Sequence, residues 1–377
     1  MKKGFLMILM LVLVSGNAGC GFFRFRVSEY ANGYIIIRGE RFSTEVTELN
    51  LLGRGLFVRE LNCEDVTVLR HMTNLTSLNL SHNPIRDISF LAELTNLKHL
   101  NLMYTGIDDI TSLAGLTNLE SLDLTFTQIS DISPLAVLTN LRVLRLGGER
   151  TTIYDITFLS EMQYLERLTL WRTQVSDVAP LSELTNLTYL RILGGSISDI
   201  TPLSGLTNLT TLYLPDNSVY DITPLTGLTN LTILNLRSNS VSDLTPLAGL
   251  TNLRDLNLHH NGSNDLTPLT GLTNLRSLVL SFNRIYDLTP LTGLTNLTRL
   301  DLQTNRIEDI TPMSGLVNLQ DLHLQFNQIS DLTPLKEFTR FGYLNLNSNS
   351  IEDWSPIEHI SLGPRSRVGA DTSQRLP

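Results

Sequence analysis

The sequence predicts an α/β solenoid, with one long parallel β-sheet on its concave face and short 3₁₀ turns on its convex face. Three observations predict it. A motif of the form Leu-x-x-Leu-x-Leu-x-x-Asn-x-Ile-x-Asp-Ile-Thr-Pro-Leu-x-x-Leu-Thr-Asn recurs thirteen times between Leu75 and Ile357. Its period is 22 residues throughout, except for one step of 24 between Leu144 and Leu168. Each unit is also too short to bury its own apolar face, so the units must stack and share one core.

The strand of each unit is read from its Leu-x-Leu alternation, which runs from Leu78/Leu80 to Leu344/Leu346 and varies once, at Leu190/Ile192. Alternation turns both leucines inward and the x residues to solvent. At a strand spacing of roughly 4.8 Å, thirteen strands in register make a sheet on the order of 58 Å long, enough to hold a macromolecule.

After each strand a column of asparagines (Asn83, Asn217, Asn239, Asn261, Asn283, Asn305, Asn327, Asn349) is placed to bond the backbone of its own turn and of its neighbours. Thr105, Thr127, Thr173 and Gly195 take that column in the N-terminal half, and the repeat with the insertion has no clear occupant. The ladder there is expected to be less regular. An aspartate follows in every repeat, from Asp87 to Asp353. Successive members lie a strand apart and lack the clustered oxygens that calcium needs, so they are read as backbone caps. Two residues on stands Ser or Thr in all but Ala179, usually before Pro, as in Thr201-Pro202 and Thr245-Pro246. A hydroxyl N-cap before a first-turn proline opens a helix, and the few residues left suit a 3₁₀ turn.

Residues 1–19 read as a secretory signal: Lys2 and Lys3, an apolar stretch from Phe5 to Val14, then small residues. Ten apolar residues are too few to span a bilayer, which takes about 20. Cys20 after Ala18-Gly19 resembles the lipobox cysteine of bacterial lipoproteins, although Asn17 stands where an aliphatic residue is usual. Two readings stay open: a lipid anchor at Cys20, the sole route to a membrane, or ordinary cleavage and secretion. With Cys63 the only other cysteine, a disulfide scaffold or cysteine zinc site is excluded. The formal charge is −9, or −11 once Lys2 and Lys3 leave with the signal, which speaks against nucleic acid as a partner.

Residues 20–74 are assigned to an N-terminal linker and cap with one irregular repeat. In it Tyr34 to Gly39 looks like a strand, Leu49-Asn50-Leu51 with Leu56 imitates the motif, and Cys63 packs inside. Residues 75–362 hold the thirteen repeats and a C-terminal cap, in which Trp354 replaces the usual Ile and Pro356 to Ile360 lay a last turn over the stack. Residues 363–377 are expected to form a disordered tail, without a Leu-Pro-x-Thr-Gly sorting motif.

Units such as Ile222-Thr223-Pro224-Leu225-Thr226-Gly227-Leu228-Thr229-Asn230-Leu231 resemble the 22-residue leucine-rich repeats of bacterial internalins, over roughly residues 45 to 360. The resemblance implies a surface or secreted binder that grips a protein on its concave face. It implies no particular receptor, and neither the helical cap nor the immunoglobulin-like domain of internalins is evident.

Function is free to vary at the strand x positions. From the fourth to the eighth repeat these include Arg145, Arg167, Thr169, Trp171, Arg172, Tyr189, Arg191, Leu193, Tyr213, Pro215 and Arg237. Trp, Tyr and Arg dominate interface hot spots, and here the arginines gather on an acidic chain. We assign partner binding to Arg145, Arg167, Trp171, Arg172, Tyr189, Arg191, Tyr213 and Arg237. The insertion around Gly147 to Thr152 bulges beside them. The competing reading is that such aromatics merely pack on one another. His259-His260 make poor metal co-ligands, since neighbours on a strand point to opposite sides. No catalytic motif, cofactor or metal site is found. The reading is an exported, noncatalytic, monomeric binder of a protein. Two alternatives are kept: a carbohydrate or cell-wall binder that stacks sugars on Trp171, Tyr189 and Tyr213, and a structural spacer.

Overall fold

The computed structural model describes residues 29–31, 33–37, 39–53, 61, 63–149 and 151–368. The signal, Cys20, Leu56, Arg150 and the side chain of Cys63 lie outside the described residues.

The chain opens with three antiparallel strands, β1 (Glu29–Ala31), β2 (Tyr34–Ile37) and β3 (Glu40–Ser43). Ile35 and Ile37 of β2 enter the main core. The long sheet then starts at β4 (Glu48–Asn50), β5 (Ser77–Asn79), β6 (His99–Asn101), β7 (Ser121–Asp123) and β8 (Val143–Gly147). It continues through β9 (Arg167–Trp171), β10 (Tyr189–Leu193), β11 (Thr211–Tyr213), β12 (Ile233–Asn235) and β13 (Asp255–Asn257). Next come β14 (Ser277–Val279), β15 (Arg299–Asp301), β16 (Asp321–His323), the short β17 (Arg340–Phe341), β18 (Tyr343–Asn345) and β19 (Ser361–Leu362). Strands β4 to β16 and β18 form one parallel sheet of fourteen in sequence order, so the irregular first repeat joins the thirteen regular ones. Leucine pairs with leucine across every step, as in Leu212↔Leu234↔Leu256. The opposite side carries short 3₁₀ turns such as Thr223–Leu225 and Thr289–Leu291. Among the described residues no helix is long and apolar enough to cross a membrane.

The core is one continuous leucine column, with Leu78, Leu144, Leu212, Leu280 and Leu346 all essentially sealed from water. Asparagines close the unit on two sides of it. Asn239 donates to the carbonyls of Leu214, Leu236 and Arg237 at 2.8–3.1 Å, and its Oδ1 accepts from Val219 N–H at 2.9 Å. A second ladder runs through the Leu-Thr-Asn segment, where Asn208 donates to Thr185 O and Asn230 to Thr207 O, each at 2.9 Å. That ladder explains why Asn recurs in the Leu-Thr-Asn segment.

A third set of side chains ends the strands. In the middle x position Asn79, Asn101, Asp123, Asn235, Asn257, Asp301 and Asn345 each accept the N–H two residues on, at 2.9–3.2 Å. This local bond diverts the backbone from the ladder. The chain then turns through a left-handed residue, and eleven non-glycine residues hold positive φ in this column, from His82 to Ser348.

The turn-closing aspartates cap the backbone as the sequence suggested, whereas the hydroxyls after them do not. In all thirteen repeats the Asp Oδ1 accepts the N–H two residues on, as in Asp221 to Thr223 N at 2.8 Å. The Ser or Thr is no N-cap, because it already occupies the first position of the 3₁₀ turn and its side chain bonds back to the aspartate, as Thr111 Oγ1 does to Asp109 at 2.6 Å. Asp221 is held below the ordinary carboxylate range by the Thr223 hydroxyl and then its N–H, as are Asp109, Asp199 and Asp243 by theirs.

The C-terminal end also differs from expectation. Ser355–Ile357 forms the last 3₁₀ turn, but residues 361–368 are not loose. Strand β19 pairs with β17, and Arg367 bridges Asn345 in parallel, with Arg367 N–H on Leu344 O and Leu346 N–H on Arg367 O. The segment behaves as one more strand and covers the edge of β18, where unpaired groups would otherwise invite another chain.

Candidate functional site

The regular closure is interrupted singly at Val279 of β14 and His323 of β16, and over four successive strands in one region. At the middle x position of β8 to β11 the strand-ending Asn or Asp is replaced by Arg145, Thr169, Arg191 and Tyr213. β8, β9 and β10 run on to five residues where their neighbours have three, whereas β14 and β16, with Val279 and His323 at that position, stay at three. At β11 the residue two further on is Pro215, which has no N–H to capture. The extension gives the sheet face an extra register row, Gly147↔Trp171↔Leu193.

The insertion supports this row. Gly147 has φ +108°, and a Cβ there would lie 2.0 Å from Trp171 O. A Cβ on Gly148 would lie 2.9 Å from Phe126 Cα. Thr151 fills the column that the sequence left empty, its hydroxyl donating to Gly148 O at 3.1 Å as Thr127 does to Leu124 O at 2.7 Å.

Five of the eight assigned residues share one contact set. The Arg167 guanidinium lies 4.4 Å from the Tyr189 ring centre, and that of Arg191 lies 4.7 Å from Trp171 and 5.7 Å from Tyr213. Tyr189 and Tyr213 are 6.0 Å apart. Arg145 and Arg172 sit beside this group, each on a carboxylate: Asp123 at 3.8 Å and Glu149 at 2.9 Å. Arg172 is not on a strand but in the left-handed position after β9, with φ 47°. Arg237 stands apart past β12, where its charge, after burial, helps to lower His259. Burial, with Tyr189 beside it, pushes the Tyr213 hydroxyl above its ordinary value, so it stays a proton donor.

Sequence reasoning missed three members of the cluster. His82, Tyr104 and Phe126 stack at 4.7 and 4.2 Å, and Phe126 reaches Trp171 at 5.7 Å. They occupy the left-handed column, one residue before the Asn/Thr column, and an aromatic at that fixed offset was the available signal. On the other flank, Tyr213, Ile233, Asp255, Val279 and Arg299 help line a depression of about 280 Å³. His260 also has positive φ, so it does not share a strand with His259, whose Nδ1 lies 2.8 Å from Ser281 Oγ. Among the described residues no three His, Cys, Asp or Glu are grouped to hold a metal ion.

The family profile described as Leucine Rich repeats (2 copies) matches residues 73–115, 117–161, 207–249, 229–272 and 273–315, more than half of the chain, and a second leucine-rich repeat profile matches 316–332. The chain belongs to the leucine-rich repeat family, and its repeats are of the internalin kind. An internalin, InlF of Listeria monocytogenes, is 31% identical over 88% of this chain and 91% of its own, with a TM-score of 0.67. A leucine-rich repeat protein of Leptospira interrogans is 23% identical over 85% and 90%, with a TM-score of 0.69. The ectodomain of the Arabidopsis thaliana receptor kinase GASSHO1/SCHENGEN3, solved with CASPARIAN STRIP INTEGRITY FACTOR 2, shares the fold at 18% identity over 85% of this chain and 47% of its own, TM-score 0.64. No curated protein sequence matches the chain.

Proposed function

We propose that the protein is an exported, noncatalytic binder that takes a protein partner on the concave sheet face, across β8 to β11. It acts at the cell surface, anchored through an acylated Cys20 or secreted, and as a monomer. The observation that carries this reading is the local exchange of strand-ending Asn and Asp for Arg145, Thr169, Arg191 and Tyr213. In seven other strands of the thirteen repeats an Asn or Asp at that position ends the strand; here four successive strands give it up, and Arg and Tyr, residue types of interface hot spots, take three of the four places. The guanidiniums over Trp171, Tyr189 and Tyr213 weigh against the carbohydrate alternative, since each occupies a ring face that a sugar would stack on. Membership of a family of binding proteins supports the absence of turnover.

The test is a pull-down from surface proteins with the chain from residue 21 onward, beside a Trp171→Ala, Arg191→Ala, Tyr213→Ala variant of unchanged circular dichroism. A protein captured by the parent and lost by the variant is the expected result. Capture by both places the site elsewhere on the solenoid. Capture by neither moves the reading to a glycan or a spacer.

A further inference from the structure

The reading above says where a partner docks; the chemistry of the patch says what it presents. Among the described residues, Trp171 Nε1 and Arg191 Nε are buried N–H donors without any acceptor, and they belong to one contact, with the guanidinium 4.7 Å from the indole. An N–H removed from water and left unpaired is costly, and native structures satisfy nearly all such groups. Here both belong to side chains in one contact, the guanidinium lying over the indole. Neither Arg191 nor Arg167 has a carboxylate partner among the described residues, whereas Arg145 and Arg172 each have one.

We propose that Arg191 and Trp171 form a clasp for a carboxylate, and that the protein partner supplies it as an acidic side chain of an exposed segment. The guanidinium fork matches a carboxylate in two parallel hydrogen bonds. As Arg191 lifts from the ring toward the ligand, its Nε gains an acceptor and the indole Nε1 is uncovered to donate as well. Both unpaired groups are thus relieved by one movement, and a bare apolar ligand would relieve neither. Charge favours the same ligand, because Arg145, Arg167, Arg172 and Arg191 gather here on a chain that carries −9 overall, which helps to fix where an acidic segment lands. The depression beyond Tyr213, with Ile233 and Val279 in its lining, receives an apolar side chain flanking the acid.

This inference rests on the docking face proposed above, and its test is separable from that of the face. Trp171 and Trp354 are the only tryptophans, so in a Trp354→Phe background the emission reports Trp171 alone. Poly-L-glutamate is titrated into this full-length protein, with heparin and sodium chloride of matched ionic strength as parallel arms. We expect a saturable change in emission with poly-L-glutamate and none with chloride. Arg191→Met, which keeps the alkyl cover and removes the fork, should weaken it at least tenfold, while Arg276→Met, which removes an exposed charge elsewhere, should leave it intact. No saturable change, an equal change in Arg191→Met, or equal weakening by both variants overturns the clasp. So does a response to heparin alone, which would assign the patch to a sulfated glycan. If poly-L-glutamate fails while the pull-down variant still loses its protein, the docking face stands and only the carboxylate falls.

Discussion

From Asn217 to Asn349 the repeats close with an asparagine that reaches the preceding repeat, whereas between Thr105 and Gly195 the same column holds threonines and a glycine. A threonine hydroxyl reaches only its own turn, as Thr105 does to Leu102 O and Thr127 to Leu124 O. Thr173, after the lengthened β9, reaches nothing. The regular half is therefore stitched between repeats by side chains, and the irregular half leans more on its leucine core and aromatic stack. Loss of the stitching coincides with the place where strand ends were surrendered to Arg and aromatic residues. The fold is most economical where it does least.

The sharpest way to break this comparison is Gly147→Ala. The substitution forces a Cβ against Trp171 O in a left-handed backbone, and we expect a loss of more than about 3 kcal/mol in thermal unfolding, with a shifted Trp171 emission. A melt like that of the parent would show that the insertion does not brace the patch. Asn239→Ala removes four hydrogen bonds from a buried site and should cost about 2–4 kcal/mol, against about 1 kcal/mol for Thr127→Val. Equal losses would erase the distinction between the halves.

Acid separates them differently. Burial lowers His259 and His323 in the folded chain, so the unfolded chain takes up those protons first, and stability falls as pH drops below the ordinary histidine value of about 6.5. Hydrogen exchange should register that loss around β13 to β16 while β8 to β10 hold. Turn aspartates such as Asp131, Asp199, Asp243 and Asp331 are lowered by hydroxyl and backbone donors, so their contribution persists above about pH 3.9 and is lost below it in both halves. Uniform loss from pH 6.5 downward would contradict the assignment. The smallest effect is expected at Thr173→Val, which removes an unpaired buried hydroxyl and should be neutral or stabilising by up to about 1 kcal/mol.

How much of this was legible follows from what the period reveals. A fixed spacing of 22 residues identifies every neighbour across the stack, so the leucine core, the asparagine column and the capping aspartates could be read directly. Spacing does not say which way a side chain leaves a turn. The left-handed residues His82, Tyr104 and Phe126 were missed for that reason, and Arg172 was read as a strand residue although it lies in that column. The hydroxyls of Thr111 and its equivalents were misjudged because the turn begins one position earlier than an N-cap would require, at the Ser or Thr itself, whose N–H the aspartate accepts. Of the site, the five residues in mutual contact were legible from their types; the unpaired donors of Trp171 and Arg191 required coordinates.

The ladders carry a consequence for how such a gene can change length. The Leu-Thr-Asn amide reaches back 23 residues and the column amide 25, one repeat each, as from Asn252 to Thr229 and from Asn261 to Leu236. Losing or duplicating 22 codons within the regular half would hand every such bond to an equivalent residue, and the array would heal without a scar. A change of another size disturbs the repeat that receives it, while later amides keep their partners, as Asn186 and Asn208 do beyond the two-residue insertion. Through β8 to β10 the healing fails even for whole units, because Gly147, Phe126 and Trp171 fit only one another. Lineages of this chain should therefore differ in reach along the C-terminal half while keeping the central patch at fixed length.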